Sequence, residues 1–407
     1  MNRGDSLQLS SLRDLPPAAR IFLGLLGKMR HGHLEVLTPH ATALTFGNPH
    51  EPPSARLHLH DWRACARILQ AGDIGFAECY AAGWADTPDL AALLRLALRN
   101  REQMESIVGG GRIGKLWYWL RHLLRPNTRA GSRSNIHAHY DIGNAFYRLW
   151  LDAGMTYSSA IFEHPGQPLE QAQDAKYRRI LDRLQLKPGA RILEIGCGWG
   201  GFAHYAATRG MQVHGVTISP AQLDWARRRI REQGLEHRVQ LELRDYRDLQ
   251  GSYDAIVSIE MFEAVGERFW PGYFAALARR LNPGGQALIQ SITIDEARFD
   301  RYRASSDFIR EYIFPGGMLP SHERFTAAAL RAGMHLHERF HFGRDYAETL
   351  RRWSATFMKQ REALTGLGFD ERFLKLWQLY FAYCEAGFDE GQTDVVQFLL
   401  HKDHRTT

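Results

Sequence analysis

The run ARILEIGCGWGG at residues 190–201 constrains this chain more than any other segment. Apolar residues lead into it, the glycines Gly196, Gly198, Gly200 and Gly201 crowd its end, and a helical pattern leaves it. A strand that stops in such a loop and hands over to a helix opens a doubly wound α/β domain. Glycine is needed there because the backbone must pass close to a ligand without a Cβ in the way. The downstream pattern agrees. Strands read at 190–195, 211–218, 238–243, 253–259 and 285–292 alternate with helices at 200–208, 220–233 and 271–281. That alternation predicts a parallel, Rossmann-like sheet with helices on both faces. Residues 295–325 interrupt it, and a helix–strand ending at 371–387 and 393–401 closes the chain. An insertion at the carboxyl end of a strand commonly covers a ligand crevice, so 295–325 is predicted to be a lid.

Glycine loops of this kind serve dinucleotides as well as nucleoside methyl donors. Three positions favour the methyl donor S-adenosylmethionine. Glu194, just before the loop, suits the amino group of a methionine moiety. No acidic residue closes the second strand (HGVTIS, 214–219), where a dinucleotide site places a carboxylate for the ribose. Asp245, in LRDYRDL after the third strand, can accept from an adenine amine.

The 407 residues exceed one ordinary domain. Residues 1–110 read as a small α+β unit: an amphipathic helix at 18–31, a β-like stretch at 33–60 with a turn at Gly47-Asn48-Pro49, and helices at 62–70, 73–82 and 89–99. Residues 111–135 read as a basic, aromatic helix (KLWYWLRHLLR, 115–125) and a linker (PNTRAGSRS, 126–134). Residues 136–407 read as the catalytic domain. Four scattered cysteines give neither a disulfide framework nor a metal spacing, so no metal is called for. No stretch of 18 apolar residues is present. The net charge of +6 favours an anionic surface, and the helix at 115–125 has the composition of an interfacial one. A nucleic-acid methyltransferase would carry a target-reading module and a base-methylation motif; neither is found, so no nucleic acid is expected.

Four motifs in order carry a resemblance. AHYDIGNAFYRLWLDAGMTYSSAIF (138–162), LEIGCGWGG (193–201), VSIEMFEAVG (257–266) and YIFPGGMLPS (312–321) resemble the cyclopropane-fatty-acyl-phospholipid synthases, a family that includes the mycolic acid methyltransferases. The likeness runs from about residue 134 to 403. HDWRACARILQAGDIGFAECYAAGWADTPD (60–89) is similar to the lipid-binding domain of the phospholipid-acting members. The resemblance implies a methyl(ene) transfer from S-adenosylmethionine to the cis double bond of a phospholipid acyl chain, giving a cyclopropane. It implies cofactor contacts at Tyr157, Ser158, Gly196, Gly198, Thr217, Ile218, Gln222, Asp245 and Tyr246. It implies a bound bicarbonate as base, held by Ser159, the backbone carbonyl of Ile259, Glu263, Gln290 and Tyr346. His139 and Tyr140 begin the segment that covers the sulfonium in relatives, and Phe314 and Gly317 are expected beside the acyl chain. A cytoplasmic enzyme resting on the inner face of the membrane follows, with a homodimer as a further expectation.

Three positions depart from that pattern. Ser159 stands where the family typically has cysteine, Gln290 where it typically has histidine, and Ala264 where a histidine often follows the glutamate. Serine and glutamine still donate hydrogen bonds to an anion, but a histidine's proton affinity is lost. A methyl-branched or other non-cyclopropane product therefore stands as the alternative. A lipid-binding protein that has lost catalysis is the rival from another class.

Overall fold

The computed structural model describes residues 15–103 and 142–402. The N-terminal unit begins with α1 (Pro17–Leu26), whose proline sits where no intrahelical N–H is required and whose Ala19, Phe22, Leu23 and Leu26 turn inward. It ends at Gly27, short of the predicted residue 31. Strands β1 (His33–Leu37), β2 (Ala43–Gly47), β3 (Ser54–Leu59) and β4 (Ala85–Asp86) form a sheet in the order β2-β1-β3-β4. Leu34 and Val36 of β1 and Ala55, Leu57 and Leu59 of β3 alternate onto one buried face. Helices α2 (Arg63–Ala81) and α3 (Leu90–Arg99) complete the unit. The two helices expected at 62–70 and 73–82 are one span broken at Gly72, whose φ of 58° and ψ of −127° are not helical. Asp89 caps α3 by accepting from the Ala92 N–H at 2.8 Å.

The second unit follows α4 (Asn144–Arg148) and α5 (Leu169–Leu184). Its core is β5 (Arg191–Ile195), α6 (Gly201–Ala207), β6 (Gln212–Thr217), α7 (Pro220–Glu232), β7 (Val239–Leu243), β8 (Tyr253–Ile259), α8 (Trp270–Arg280) and β9 (Leu281–Ile294). Helix α9 (Glu296–Arg303) and a π-helical turn at Ile309–Ile313 fill the predicted lid. Then come α10 (His322–Arg331), β10 (Met334–His341), α11 (Gly343–Lys359), α12 (Arg361–Gly366), α13 (Glu371–Asp389) and β11 (Thr393–Lys402). The sheet order is β10-β11-β9-β8-β5-β6-β7.

The expectation of a parallel sheet needs one correction. Five strands are parallel, but β11 runs antiparallel to both β9 and β10, so the sheet is mixed. Residue pattern encodes which face of a strand is buried and not the direction in which the strand runs. Strand β10 (MHLHERFH) escaped the sequence reading because an edge strand alternates histidine and charge in place of apolar residues.

Chain order reverses at β5, which pairs with β6 on one side and β8 on the other. The carboxyl ends of these strands therefore flank the crevice where ligands bind in such folds. The N-terminal unit packs against α13 and the lid. Arg95 and Arg351 both reach Asp389, at 2.8 and 2.6 Å, and Arg99 pairs with Glu390 at 2.9 Å. Asp73, next to the α2 break, accepts from the Phe308 N–H at 3.2 Å and the Tyr383 hydroxyl at 2.8 Å. Among the described residues no helix is long and apolar enough to cross a membrane.

Candidate active site

The glycine loop lies at the end of β5. Gly196 and Gly198 have φ of 84° and 51°, in the left-handed region that favours glycine. A Cβ on Gly196 would sit 3.0 Å from the Met261 side chain, whereas a Cβ on Gly198 would meet nothing within 4 Å. The loop thus packs on one side and borders open space on the other. Glu194 is buried, and its Oε2 has no hydrogen-bond partner among the described residues. Burial holds its carboxyl well above the usual range. At the end of β6 the Thr217 hydroxyl donates to Gln222 Oε1 at 3.1 Å, which leaves the amide nitrogen for the cavity that Ile218 and Gln222 line. After β7, Asp245 takes two hydrogen bonds from the Arg247 guanidinium, at 2.8 and 2.5 Å, and Tyr246 packs edge-on against Tyr273. An orphaned carboxylate oxygen, an open glycine loop and two further polar side chains fit an amino acid joined to a nucleoside.

Tyr157 and Ser158 approach from the opposite wall. Tyr157 stacks on Phe314 at 6.3 Å, lies edge-on to Trp150 and donates to the Tyr380 hydroxyl at 2.9 Å. The Gly317 N–H donates to the Phe314 carbonyl at 3.0 Å, closing the turn that presents this aromatic face. Ser158 Oγ accepts from the fully buried Lys176 ammonium at 2.6 Å. Burial pulls Lys176 down to about 8 against the opposing pull of Glu260, Asp152 and Glu194.

The base site is where structure and expectation part. Ser159, Gln290 and Tyr346 do converge, but the anion they surround is the protein's own Glu260. Glu260 Oε1 accepts from the Ser159 backbone N–H at 2.9 Å and from Gln290 Nε2 at 2.8 Å. Its Oε2 accepts from the Tyr346 hydroxyl at 2.7 Å. Gln290 is fixed in turn, since its Oε1 accepts from Gln397 Nε2 at 3.0 Å and its carbonyl takes the Glu260 N–H at 2.8 Å. Glu260 itself has φ of 50°, a strained value for a side-chain-bearing residue. Burial raises its carboxyl, while the Tyr346 hydroxyl, Lys176 and the Ser159 and Gln290 donors pull it back. The donors expected to hold a bicarbonate are thus engaged by a tethered carboxylate, and they do not fit a second anion.

Glu263 stands three residues on. Its Oε1 accepts from the Ile292 N–H at 2.5 Å and the Ser291 hydroxyl at 3.1 Å, and its Oε2 is buried without a partner among the described residues. Burial, and then Glu260, push it up to about 8. Ile259 lines the same cavity. The Ser159 hydroxyl turns away and donates to the Ala160 carbonyl at 3.0 Å, so this residue serves through its backbone. His139, Tyr140 and the basic helix at 115–125 lie outside the described residues. Sequence reasoning missed Glu260. Its signal was the first glutamate of SIEMFEAVG, one residue past the end of β8.

Residues 127–398 match the model of the mycolic acid cyclopropane synthetase family. The chain belongs to that family. It is 39% identical to a tuberculostearic acid methyltransferase of Mycobacterium tuberculosis, over 92% of this chain and 88% of that protein. It is 35% identical to the cyclopropane-fatty-acyl-phospholipid synthase of Escherichia coli, over 79% and 81% of the two chains. Among solved structures, the mycolic acid cyclopropane synthase CmaA1 complexed with SAH and CTAB is similar with a TM-score of 0.62 and 30% identity, covering 66% of this chain and 98% of that one. The protein is therefore an S-adenosylmethionine-dependent methyltransferase with an α/β fold. Glu194, Gln222, Asp245 and the glycine loop line one cavity.

Proposed function

We propose that the protein methylates the cis double bond of a phospholipid acyl chain at the membrane surface and leaves a methylene-branched chain, with Glu260 as the base. The observation that carries this reading is the Glu260 carboxylate, held by three donors at 2.7–2.9 Å beside the donor loop. S-adenosylmethionine supplies an electrophilic methyl group when bound. The acyl chain contributes the alkene electron pair and forms the new carbon–carbon bond as the methyl–sulfur bond of the donor breaks, its electrons staying on sulfur, and the chain is left with a positive charge on the neighbouring carbon. A hydride shift from the methylated carbon moves that charge to a tertiary position. Glu260 then takes a proton from the added methyl, and the electrons of that C–H bond form the carbon–carbon double bond of the methylene branch. The chain gains one carbon and two hydrogens, and the proton rests on Glu260 Oε.

Two features favour the branch over the ring. Three hydrogen bonds stabilise the carboxylate and make it a slower base, so the hydride shift outruns ring closure. Gln290 offers an amide donor and no proton relay. The match to a tuberculostearic acid methyltransferase across most of both chains supports the same choice. The stacked rings of the aromatic wall, Tyr157 and Phe314, keep water from the cation. The net charge of +6 suits an anionic lipid surface.

The test is incubation of the purified protein with methyl-labelled donor and vesicles of a diacyl phosphatidylglycerol bearing cis-monounsaturated chains. Ring and branch add the same mass, so proton NMR of the released chains decides. Exomethylene signals are expected. Cyclopropane ring protons would overturn the branched product, and no label in lipid would overturn the acyl-chain reading.

A further inference from the structure

The cavity that holds the donor loop and Glu260 does not stop at the catalytic unit. It is one continuous space of about 1270 Å³, larger than the roughly 300–1,000 Å³ of a small-molecule pocket. It runs past the lid into the interior of the N-terminal unit, where Phe22, Leu26, Leu34, Leu57, Leu69 and Leu96 form its wall. These residues come from α1, β1, β3, α2 and α3, so the cavity extends between the sheet and helices of that unit. The break at Gly72 lies on this path. The glycine has φ of 58°, a Cβ there would meet nothing within 4 Å, and Ile68 and Phe76 on either side of the break also line the space. Asp73 at the break ties the N-terminal unit to Phe308 of the lid and Tyr383 of α13, which fixes the two parts of the cavity end to end.

We infer that this N-terminal chamber holds the second, non-reacting alkyl chain of a two-chain phospholipid while the first lies against Glu260. The inference rests on the acyl-chain reading above. A chamber of aliphatic and aromatic side chains matches an alkyl chain, and its continuity with the base site gives room for an occupant joined to the reacting chain. Arg101, Arg298 and Arg301 line the same cavity, with Arg101 and Arg301 exposed at the surface. Guanidinium groups there match the phosphate that links two such chains. Binding energy from the unreactive chain then positions the alkene, which a weak nucleophile needs.

Two experiments on the full chain test this. The first uses the wild-type protein and a phospholipid with one monounsaturated chain and one saturated chain carrying a terminal diazirine. After irradiation, adducts are expected within residues 22–34, 57–76 and 93–98. Adducts confined to residues outside 15–103 would overturn the inference. The second compares kcat/KM for a diacyl phospholipid with that for its single-chain lysophospholipid. Leu57→Trp, and separately Leu26→Trp, are expected to lower the diacyl-to-single-chain ratio about tenfold. An equal fall on both lipids would sink the chamber. Failure of the wild type to methylate either lipid would instead sink the acyl-chain reading, so the two failures are distinct.

Discussion

At the end of β5 the chain meets its ligand with backbone; at the ends of β8 and β9 it meets it with side chains gathered from across the molecule. The donor loop is contiguous, and its chemistry is the freedom of Gly196 and Gly198 to adopt positive φ. The base site is discontinuous. Glu260 draws on Ser159, Gln290 and Tyr346, which lie 101, 30 and 86 residues away. A contiguous backbone site can deliver the same methyl group in many relatives. A site assembled from distant side chains can be rebuilt one residue at a time, and in the function proposed above it decides what becomes of the cation. Donor binding and product choice are therefore separable, and the sharpest tests damage one and spare the other.

Glu260→Gln should do the most damage. The amide keeps the shape and loses the base, so kcat is expected to fall by about 10²–10⁴. Calorimetry should find donor affinity within about twofold of the parent, because Glu260 lies outside the glycine loop. Activity of the parent should not change when bicarbonate is stripped from the buffer, whereas Glu260→Gly opens the three donors to a dissolved anion and should be partly rescued by added bicarbonate. A parent enzyme that stops without bicarbonate would break the assignment.

The converse lesion is Gly196→Val. The left-handed φ and the 3.0 Å approach to Met261 cost about 1–3 kcal/mol of strain. Donor affinity is expected to fall about 10–100-fold, with kcat at saturating donor within a few-fold of the parent. A large loss in kcat at saturation would mean that the loop also shapes the base site.

The same contrast explains what could be read in the sequence. The donor loop was legible because strand, glycines and helix are neighbours in the chain, and the N-terminal helices for a similar reason; the expected break between 70 and 73 falls on Gly72. The base site was legible only as a motif. SIEMFEAVG offers two glutamates, and nothing local says that Glu260, rather than Glu263 alone, faces Ser159 and Tyr346. Gln290 looked like a weakened histidine. In the folded chain an amide suits a carboxylate neighbour, with its nitrogen on Glu260 and its oxygen on Gln397. The direction of β11 was illegible because hydrophobic pattern carries no sense of direction.

A smaller effect tests the electrostatics. Burial raises Glu260, and the Tyr346 hydroxyl pulls it back down. Glu260 acts as a base only when ionised, so activity falls as pH drops through its raised pKa. Tyr346→Phe removes a donor to the charged form and raises that pKa further. The acid limb of kcat/KM should move to higher pH, with a loss of about tenfold near neutrality. A limb that moves to lower pH would show that Tyr346 acts on some other group.

Ser159→Ala should do least, although the position is one where the chain departs from its relatives. The Ser159 hydroxyl donates to the Ala160 carbonyl, and the group that reaches Glu260 is the backbone N–H. Alanine keeps that N–H. The lost hydroxyl bond is worth about 1 kcal/mol of local order at most, since its acceptor is an adjacent carbonyl. The rate is expected within about threefold of the parent, with an unshifted pH profile and the same product. If the product changed from branch to ring, the hydroxyl would have to touch the cation, and the separation of donor site from base site would then run through Ser159 rather than Glu260. An unchanged product places the choice on the carboxylate, because at residue 159 any side chain that leaves the backbone in place presents the same donor.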